Sequence, residues 1–411
     1  MSKKYLVKGP ASKSVKLKLD LAASKSESNR ALIINALSGS EIPLKNLANA
    51  RDTQTMTRLL ANPESPEWDV LDAGTTMRFT TAFAAVKGLN KLMTGSKRMQ
   101  ERPIGILVDA LRELGADIEY QKNEGYPPHQ INGFSEQKTD HLKIRGDVSS
   151  QYISALLMVA PSLPQGLTLE LTGKVGSKPY IQMTINLMKH FGVEASWDDR
   201  IIKIAPQEYT HQEYTIEGDW SGASYWYSIV ALADDAEVEL VGLRENSNQG
   251  DSVLADLMLN LGVKTEFKEN SVVLTKTNQV NDFEWDFTHC PDIAQTIAVI
   301  VAQKGVSARF TGLESLRIKE TDRIEAIKVE LARFGVEVEV FGDEAIEINK
   351  PQKENKSNVE IDTYDDHRMA MSYAPLGLVN DIIIDNPDVV SKSYPDYWRD
   401  LKDAGFEIVE C

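Results

Sequence analysis

Five times along the chain, apolar residues at helical spacing give way to a glycine and then to alternating apolar and polar positions. The instances are LRELGADIEY, MKHFGVEASW, MLNLGVKTEF, LARFGVEVEV and LKDAGFEIVE, centred on Gly115, Gly192, Gly262, Gly335 and Gly405. In each, Leu or Met three or four residues before the glycine supplies an apolar face. The glycine suits a left-handed helix end, and the residues after it predict a strand. Successive glycines lie 77, 70, 73 and 70 residues apart. A period this long marks a repeated supersecondary unit. One step further N-terminal falls on DTQTMTRLLANP, a helix pattern that lacks the glycine. Six units of roughly 70 residues therefore account for the whole chain.

The period exceeds that of the familiar solenoid repeats, so the pattern predicts two compact groups of three units instead of a rod. The segment IEGDWSGAS, Ile216 to Ser224, opens a polar turn at Gly218 before a new helix. LAASKS, Leu21 to Ser26, is the second crossing. The expected fold class is α/β in two domains, one covering 23–218 and the other joining 1–22 to 219–411, with a hinge near 21–26 and 216–221. A length of 411 residues agrees with two cores.

Composition narrows the function classes. No apolar run approaches a membrane span, and Met1 to Lys18 alternates Lys with Val and Leu, which reads as a strand and not as a signal peptide. Cys290 and Cys411 can form no disulfide framework and have no metal-ligand spacing, which fits a reducing cytoplasm. Lys plus Arg total 45 against 61 for Asp plus Glu, a net charge of −16, which argues against a nucleic-acid binder. An anionic substrate would meet a repulsive overall field, so a local cluster of cations must outweigh it.

Such cations recur about 12–14 residues before each repeat glycine, at Arg102-Pro103, Lys178-Pro179, Lys319 to Arg323 and Lys392 to Pro395, with Gln249-Gly250-Asp251 at the fifth position. A cation at a helix N-terminus opposes the helix dipole unless an anion sits in front of it, and free N–H groups there bind anions. Each end taken alone also reads as a solvated helix start. In SKSESNRALI, Ser24 and Glu27 have capping-box spacing, which places Lys25 in the first turn; Lys25 and Arg30 can share a ligand, or be incidental charges on a capped helix. Gly74, in LDAGTTMR, permits close backbone approach to a ligand. Ser149, Ser150 and Gln151 offer donors to a phosphate or ring, or serve as a helix cap. Two acids are candidates for proton transfer. Asp292 precedes an apolar helix and could equally cap it. Glu320 lies between Lys319 and Arg323, where cations favour its ionised form, burial opposes it, and a surface ion-pair network is the plainer alternative.

Taken in order, SKSESNRALI, DAGTTMR, RPIG, SSQYISALLM, SKPYI, NSNQGD, RIKETDRI, DHRMAM and KSYPDYW resemble the 5-enolpyruvylshikimate-3-phosphate (EPSP) synthase family, from Ser24 to Trp398. The resemblance implies an enolpyruvyl transferase fold of two domains, each built from three βαβαββ units, with the active site in the cleft between them. It implies transfer of the carboxyvinyl group of phosphoenolpyruvate to the 5-hydroxyl of shikimate 3-phosphate, by a monomer without metal or organic cofactor. By motif, Lys25, Ser26, Arg30, Ser149, Ser150, Ser177 and Tyr180 match contacts to shikimate 3-phosphate, Gln151 lies between the substrates, and Asp292, Ser315 and Lys319 complete the set; Ser315 stands where the family often has Asn. Lys25, Gly74, Arg102, Arg323, Arg368 and Lys392 match the phosphoenolpyruvate site, with Glu320 as proton donor and Lys25, Asp292 and Glu320 as the catalytic group. Asp72 departs from the usual Asn, and a carboxylate there opposes anion binding unless it points away or caps the turn. Two alternatives compete. One is the related carboxyvinyl transferase acting on UDP-N-acetylglucosamine, which commonly carries a reactive Cys in its first half, whereas both cysteines here lie in the second. The other is a non-catalytic anion-binding relative.

Overall fold

The computed structural model describes residues 3–147, 149–349 and 358–411. The chain divides into two compact units, Lys25–Ile216 and Glu217–Cys411 together with Met1–Ser24. Ala23, Ser24, Glu217 and Gly218, placed by the pattern in the first domain, fall in the second unit: Ala23 and Gly218 form an antiparallel bridge, and the Ser24 N–H donates to the Glu217 carbonyl at 2.8 Å. The expected N-terminal strand is two strands, Lys4–Lys8 and Ser14–Asp20, and Met1 and Ser2 lie outside the described residues.

In the first unit the helices are α1 (Lys25–Ser38), α2 (Arg51–Leu60), α3 (Gly74–Val86), α4 (Gly105–Leu114), α5 (Ser150–Val159) and α6 (Lys178–His190). One four-stranded sheet runs in the spatial order 67–69, 91–94, 129–134 and 116–120; another runs 141–145, 167–172, 201–204 and 196–198. In both, the first pair is parallel and the other two are antiparallel. The third repeat of this unit, among the described residues, keeps only the bridge between Lys45 and Thr215. Its helix α2 is the one that lacks the repeat glycine, and the chain leaves it through Ala61 in right-handed conformation.

The second unit holds α7 (Trp220–Leu232), α8 (Leu254–Leu257), α9 (Ala294–Gln303), α10 (Arg323–Ala332), α11 (His367–Tyr373) and α12 (Tyr397–Asp403). Its sheets repeat the same pattern: 14–20, 235–241, 271–276 and 263–267; then 283–286, 308–311, 345–348 and 338–341; then 359–361, 382–385, 4–8 and 407–410. Each of the five repeat glycines lies one to four residues before the last strand of its sheet and has positive φ, between 78° and 121°. An L side chain is strained there, so glycine allows the sharp exit from helix to edge strand.

Each unit has its own core. In the first, α3 and α5 are buried almost all round and pack on α1 and α6; in the second, α7, α9 and α11 are buried likewise and pack on one another. Helices of this composition belong inside, with the sheets around them. Burying their sides leaves their ends as the places where polar chemistry gathers. Among the described residues no helix is long and apolar enough to cross a membrane.

Candidate active site

The residues singled out by sequence fall into two sets, one in each unit. In the first unit they sit at the N-terminal ends of α1, α3, α5 and α6 and in the loop before α4. Lys25 opens α1, its Nζ 3.4 Å from Asp52 Oδ2. Arg30, one turn further on, is 2 % exposed, and its guanidinium lies over the rings of Phe79 and Tyr180, 5.3 and 5.8 Å from their centroids. The Ser26 carbonyl accepts from Arg30 Nη1 at 2.9 Å. No carboxylate pairs with Arg30 among the described residues, and burial pushes its pKa down to about 10.

Arg102 is the second such cation. It is 8 % exposed, its Nε is buried without a partner, and it forms no ion pair among the described residues. It lies against Gly74: a Cβ on that glycine would come within 2.7 Å of Arg102 Nη1 and of Arg78 Nη1. Any side chain at position 74 would displace both guanidiniums. The loop is braced by the Pro103 carbonyl, which accepts from Arg78 Nη2 at 2.9 Å and from the Tyr152 hydroxyl at 2.6 Å.

Ser149 caps α5, its hydroxyl accepting from the Gln151 N–H at 3.3 Å, while Ser150 begins the helix and Gln151 Nε2 donates to Thr75 Oγ1 at 3.2 Å. Ser177 precedes α6 in left-handed conformation at φ 51° and makes no capping bond with its hydroxyl. A strained non-glycine residue with an uncommitted hydroxyl is a mark of a functional position. Tyr180 stands in the first turn of the same helix.

Asp72 is engaged by a cation of its own. Both its carboxylate oxygens accept from Arg51 Nη2, at 2.9 and 2.8 Å, on the first residue of α2. The acidic replacement is thus accompanied by a positive partner.

In the second unit the residues form one ionic network. Arg323 opens α10, is 1 % exposed, and meets three carboxylates: Nε to Asp366 at 2.7 Å, Nη1 to Asp292 at 3.0 Å and Nη2 to Glu320 at 3.0 Å. Arg368 Nη2 lies 3.1 Å from Asp292, Lys319 Nζ 3.4 Å from the same carboxylate, and Lys392 Nζ 3.6 Å from Glu320. Burial acts against the charged form of Asp292, but Arg368, Lys319 and Arg323 outweigh it and hold the carboxyl well below its ordinary range. Burial likewise acts against a charged Arg323, and Asp366, Glu320 and Asp292 outweigh it to raise its pKa. Ser315 lies half-buried in the short turn Glu314–Ile318. Lys392 does not open a helix as the pattern implied; it closes the turn Pro387–Lys392, and α12 begins only at Tyr397, beyond Pro395.

Sequence reasoning missed Asp366, which caps α11 by accepting from the Arg368 N–H at 2.9 Å and also anchors Arg323. Its place two residues before Arg368 in DHRMAM was the available signal. Asp251, noted only in the helix-start motif before Gly262, is a buried acid: the Ser221 hydroxyl donates to Oδ2, and Oδ1 has no partner among the described residues. Burial, with the charge of Asp292 second, pushes its carboxyl up to about 7. An acid raised in the folded state binds its proton more tightly there than when unfolded, so this group costs stability as pH rises from about 4 to about 7. Asp251→Asn keeps an acceptor for Ser221 and removes that cost. Urea unfolding should show the variant gaining more over the parent at pH 8 than at pH 5; an equal or smaller gain at pH 8 would contradict the assignment.

Each unit thus holds a cluster of cations, one with arginines that no carboxylate pairs among the described residues and one with a carboxylate held ionised among them. The sequence pattern of EPSP synthase (3-phosphoshikimate 1-carboxyvinyltransferase) matches residues 61–401. The chain belongs to the EPSP synthase family. It is 49% identical over 409 residues to 3-phosphoshikimate 1-carboxyvinyltransferase from Bacteroides fragilis, covering 98% of each chain. It is 35% identical over 418 residues to the enzyme of that name from Vibrio vulnificus, covering 95% of this chain and 96% of the other. EPSP synthase from Acinetobacter baumannii has the same fold, with a TM-score of 0.81 over 99% of this chain and 100% of that one at 18% identity. Family membership agrees with the fold class expected from the five-glycine period.

Proposed function

We infer that this chain is a 3-phosphoshikimate 1-carboxyvinyltransferase, moving the carboxyvinyl group of phosphoenolpyruvate to the 5-hydroxyl of shikimate 3-phosphate with release of phosphate. The observation that carries the reading is the pair of buried guanidiniums, Arg30 and Arg102, that no carboxylate neutralises among the described residues. Buried cations without a paired carboxylate are costly to keep unless an anionic ligand completes them.

Shikimate 3-phosphate is assigned to Lys25, Ser26, Arg30, Ser149, Ser150, Gln151, Ser177, Tyr180, Asp292, Ser315 and Lys319. Phosphoenolpyruvate is assigned to Lys25, Gly74, Arg102, Arg323, Arg368 and Lys392. Protonation of the phosphoenolpyruvate methylene makes C2 electrophilic. The 5-hydroxyl then adds to C2 as a base removes its proton, giving a tetrahedral ketal. Loss of phosphate and of one methyl proton restores the vinyl group. Asp292 is the candidate acceptor of the hydroxyl proton; Arg368, Lys319 and Arg323 keep it in the ionised form that can take one, while lowering its basicity. Glu320 is the candidate donor to the methylene, and Lys25 the third proton-transfer group. The arginines and lysines stabilise the charge that moves onto the departing phosphate.

A coupled phosphate-release assay tests the reading. Release should require phosphoenolpyruvate and shikimate 3-phosphate together and should not occur with UDP-N-acetylglucosamine as acceptor. Equal release with the sugar nucleotide, or none with the shikimate ester, rejects it.

A further inference from the structure

Two buried residues that no motif assigned surround the side edge of Arg30. Ser154 on α5 and Thr184 on α6 are both 0 % exposed. Arg30 Nε donates to Thr184 Oγ1 at 2.8 Å and Nη2 to Ser154 Oγ at 3.1 Å. The two hydroxyl oxygens are themselves 2.9 Å apart, and the Thr184 hydroxyl also lies 2.9 Å from the Tyr180 carbonyl. Together they present two acceptors to the Nε–Nη2 edge, which is the edge a carboxylate takes in a bidentate pair.

The difference from a carboxylate is charge. Hydroxyls satisfy the N–H groups and fix the plane of the guanidinium, yet leave its positive charge uncancelled. The five N–H groups of an arginine are then only partly used, since among the described residues the one other acceptor on Arg30 is the Ser26 carbonyl. The contrast lies within the same molecule, where Arg323 has carboxylates on all three nitrogens. We propose that Ser154 and Thr184 are positioning residues that hold Arg30 by a neutral hydroxyl pair, so that its whole charge remains available to the anionic substrate. The spacing supports a shared purpose. Ser154 lies one helical turn after Ser150, and Thr184 one turn after Tyr180, so each is on the same helix face as an assigned substrate contact.

The inference rests on the assignment of Arg30 to shikimate 3-phosphate, and its test separates the two. Titration calorimetry of shikimate 3-phosphate against the full chain is combined with thermal melting and with KM for each substrate. Ser154→Asp should pair with Arg30, so the variant should melt at or above the parent temperature while its affinity falls at least a hundredfold. Thr184→Val should weaken shikimate 3-phosphate about tenfold or more and change KM for phosphoenolpyruvate little; Thr184→Ser should restore binding to within about twofold. The inference is overturned if S154D folds and binds like the parent. If S154D does not fold, T184V decides: parent-like affinity, or equal rises in both KM values, overturns it. A parent chain that binds no shikimate 3-phosphate overturns the functional assignment itself, and this inference with it.

Discussion

Arg323→Ala should lower the stability of its unit by about 3–5 kcal/mol and abolish measurable turnover, the largest combined effect expected of any single substitution at the candidate site. The reason is what remains behind. Asp366 is 0 % exposed and bonds to Arg323 Nε at 2.7 Å, while Asp292 and Glu320 lie 3.0 Å from the other two nitrogens. Removing the guanidinium leaves these acids facing one another in a poorly solvated place, where an unpaired charge is costly. Asp366 also caps α11, so the damage reaches Arg368. Arg323→Lys keeps the charge but cannot serve three acceptors in a plane, and should recover only part of the loss. Urea unfolding followed by tryptophan fluorescence, with phosphoenolpyruvate affinity measured in the presence of shikimate 3-phosphate, checks both halves. A variant within about 1 kcal/mol of the parent, with unchanged affinity, would show that the network is ornamental to both fold and function.

Asp292→Asn should act in the opposite way, leaving binding intact and removing chemistry. The carboxylate is held ionised by Arg368 at 3.1 Å, Arg323 at 3.0 Å and Lys319 at 3.4 Å. An amide of the same shape keeps one acceptor oxygen for Lys319 and Arg323, turns an N–H group towards Arg368, and cannot take a proton. Loss of a general base typically costs about 10²–10⁴ in rate. Removing a negative charge from among cations should leave KM for the anionic substrates unchanged or lower. Steady-state kinetics in both substrates separates the cases: a fall in kcat without a rise in KM supports the role, whereas a parent-like kcat refutes it. The sign of the pH response follows from the same contacts. Because its folded pKa is depressed, the stability that Asp292 contributes is present above the ordinary carboxylate range and is lost as pH falls through its lowered value.

Much of the fold was legible because it is written in short-range periodicity. Five helix–glycine–strand transitions give five sheets of the same strand order, and each glycine has the positive φ its position demanded. The sixth unit was visible as a helix without its glycine, but the pattern did not reveal that its sheet shrinks to the Lys45–Thr215 bridge. That outcome depends on whether two segments 170 residues apart pair, which local alternation does not encode. The same limit applies to the candidate site. The helix starts at Lys25, Ser149, Lys178 and Arg323 were readable from caps, prolines and misplaced cations. The partners that orient the arginines were not, because they come from far along the chain. Thr184 lies 154 residues from Arg30, and Asp366 lies 43 from Arg323. Asp72 shows the point on a smaller scale: its carboxylate looked adverse in sequence, and Arg51, 21 residues away, answers it.

Carboxyvinyl transfer by addition to C2 requires that phosphate be lost from that same carbon. Phosphoenolpyruvate labelled with ¹⁸O at the oxygen bridging carbon and phosphorus tests it directly, with shikimate 3-phosphate as acceptor and the products analysed by mass spectrometry. The expected products are a carboxyvinyl ether on the acceptor and phosphate that carries the bridging label, since the carbon–oxygen bond is the one that breaks. Label retained with the three-carbon fragment and absent from phosphate would mean cleavage at phosphorus, and would contradict the account.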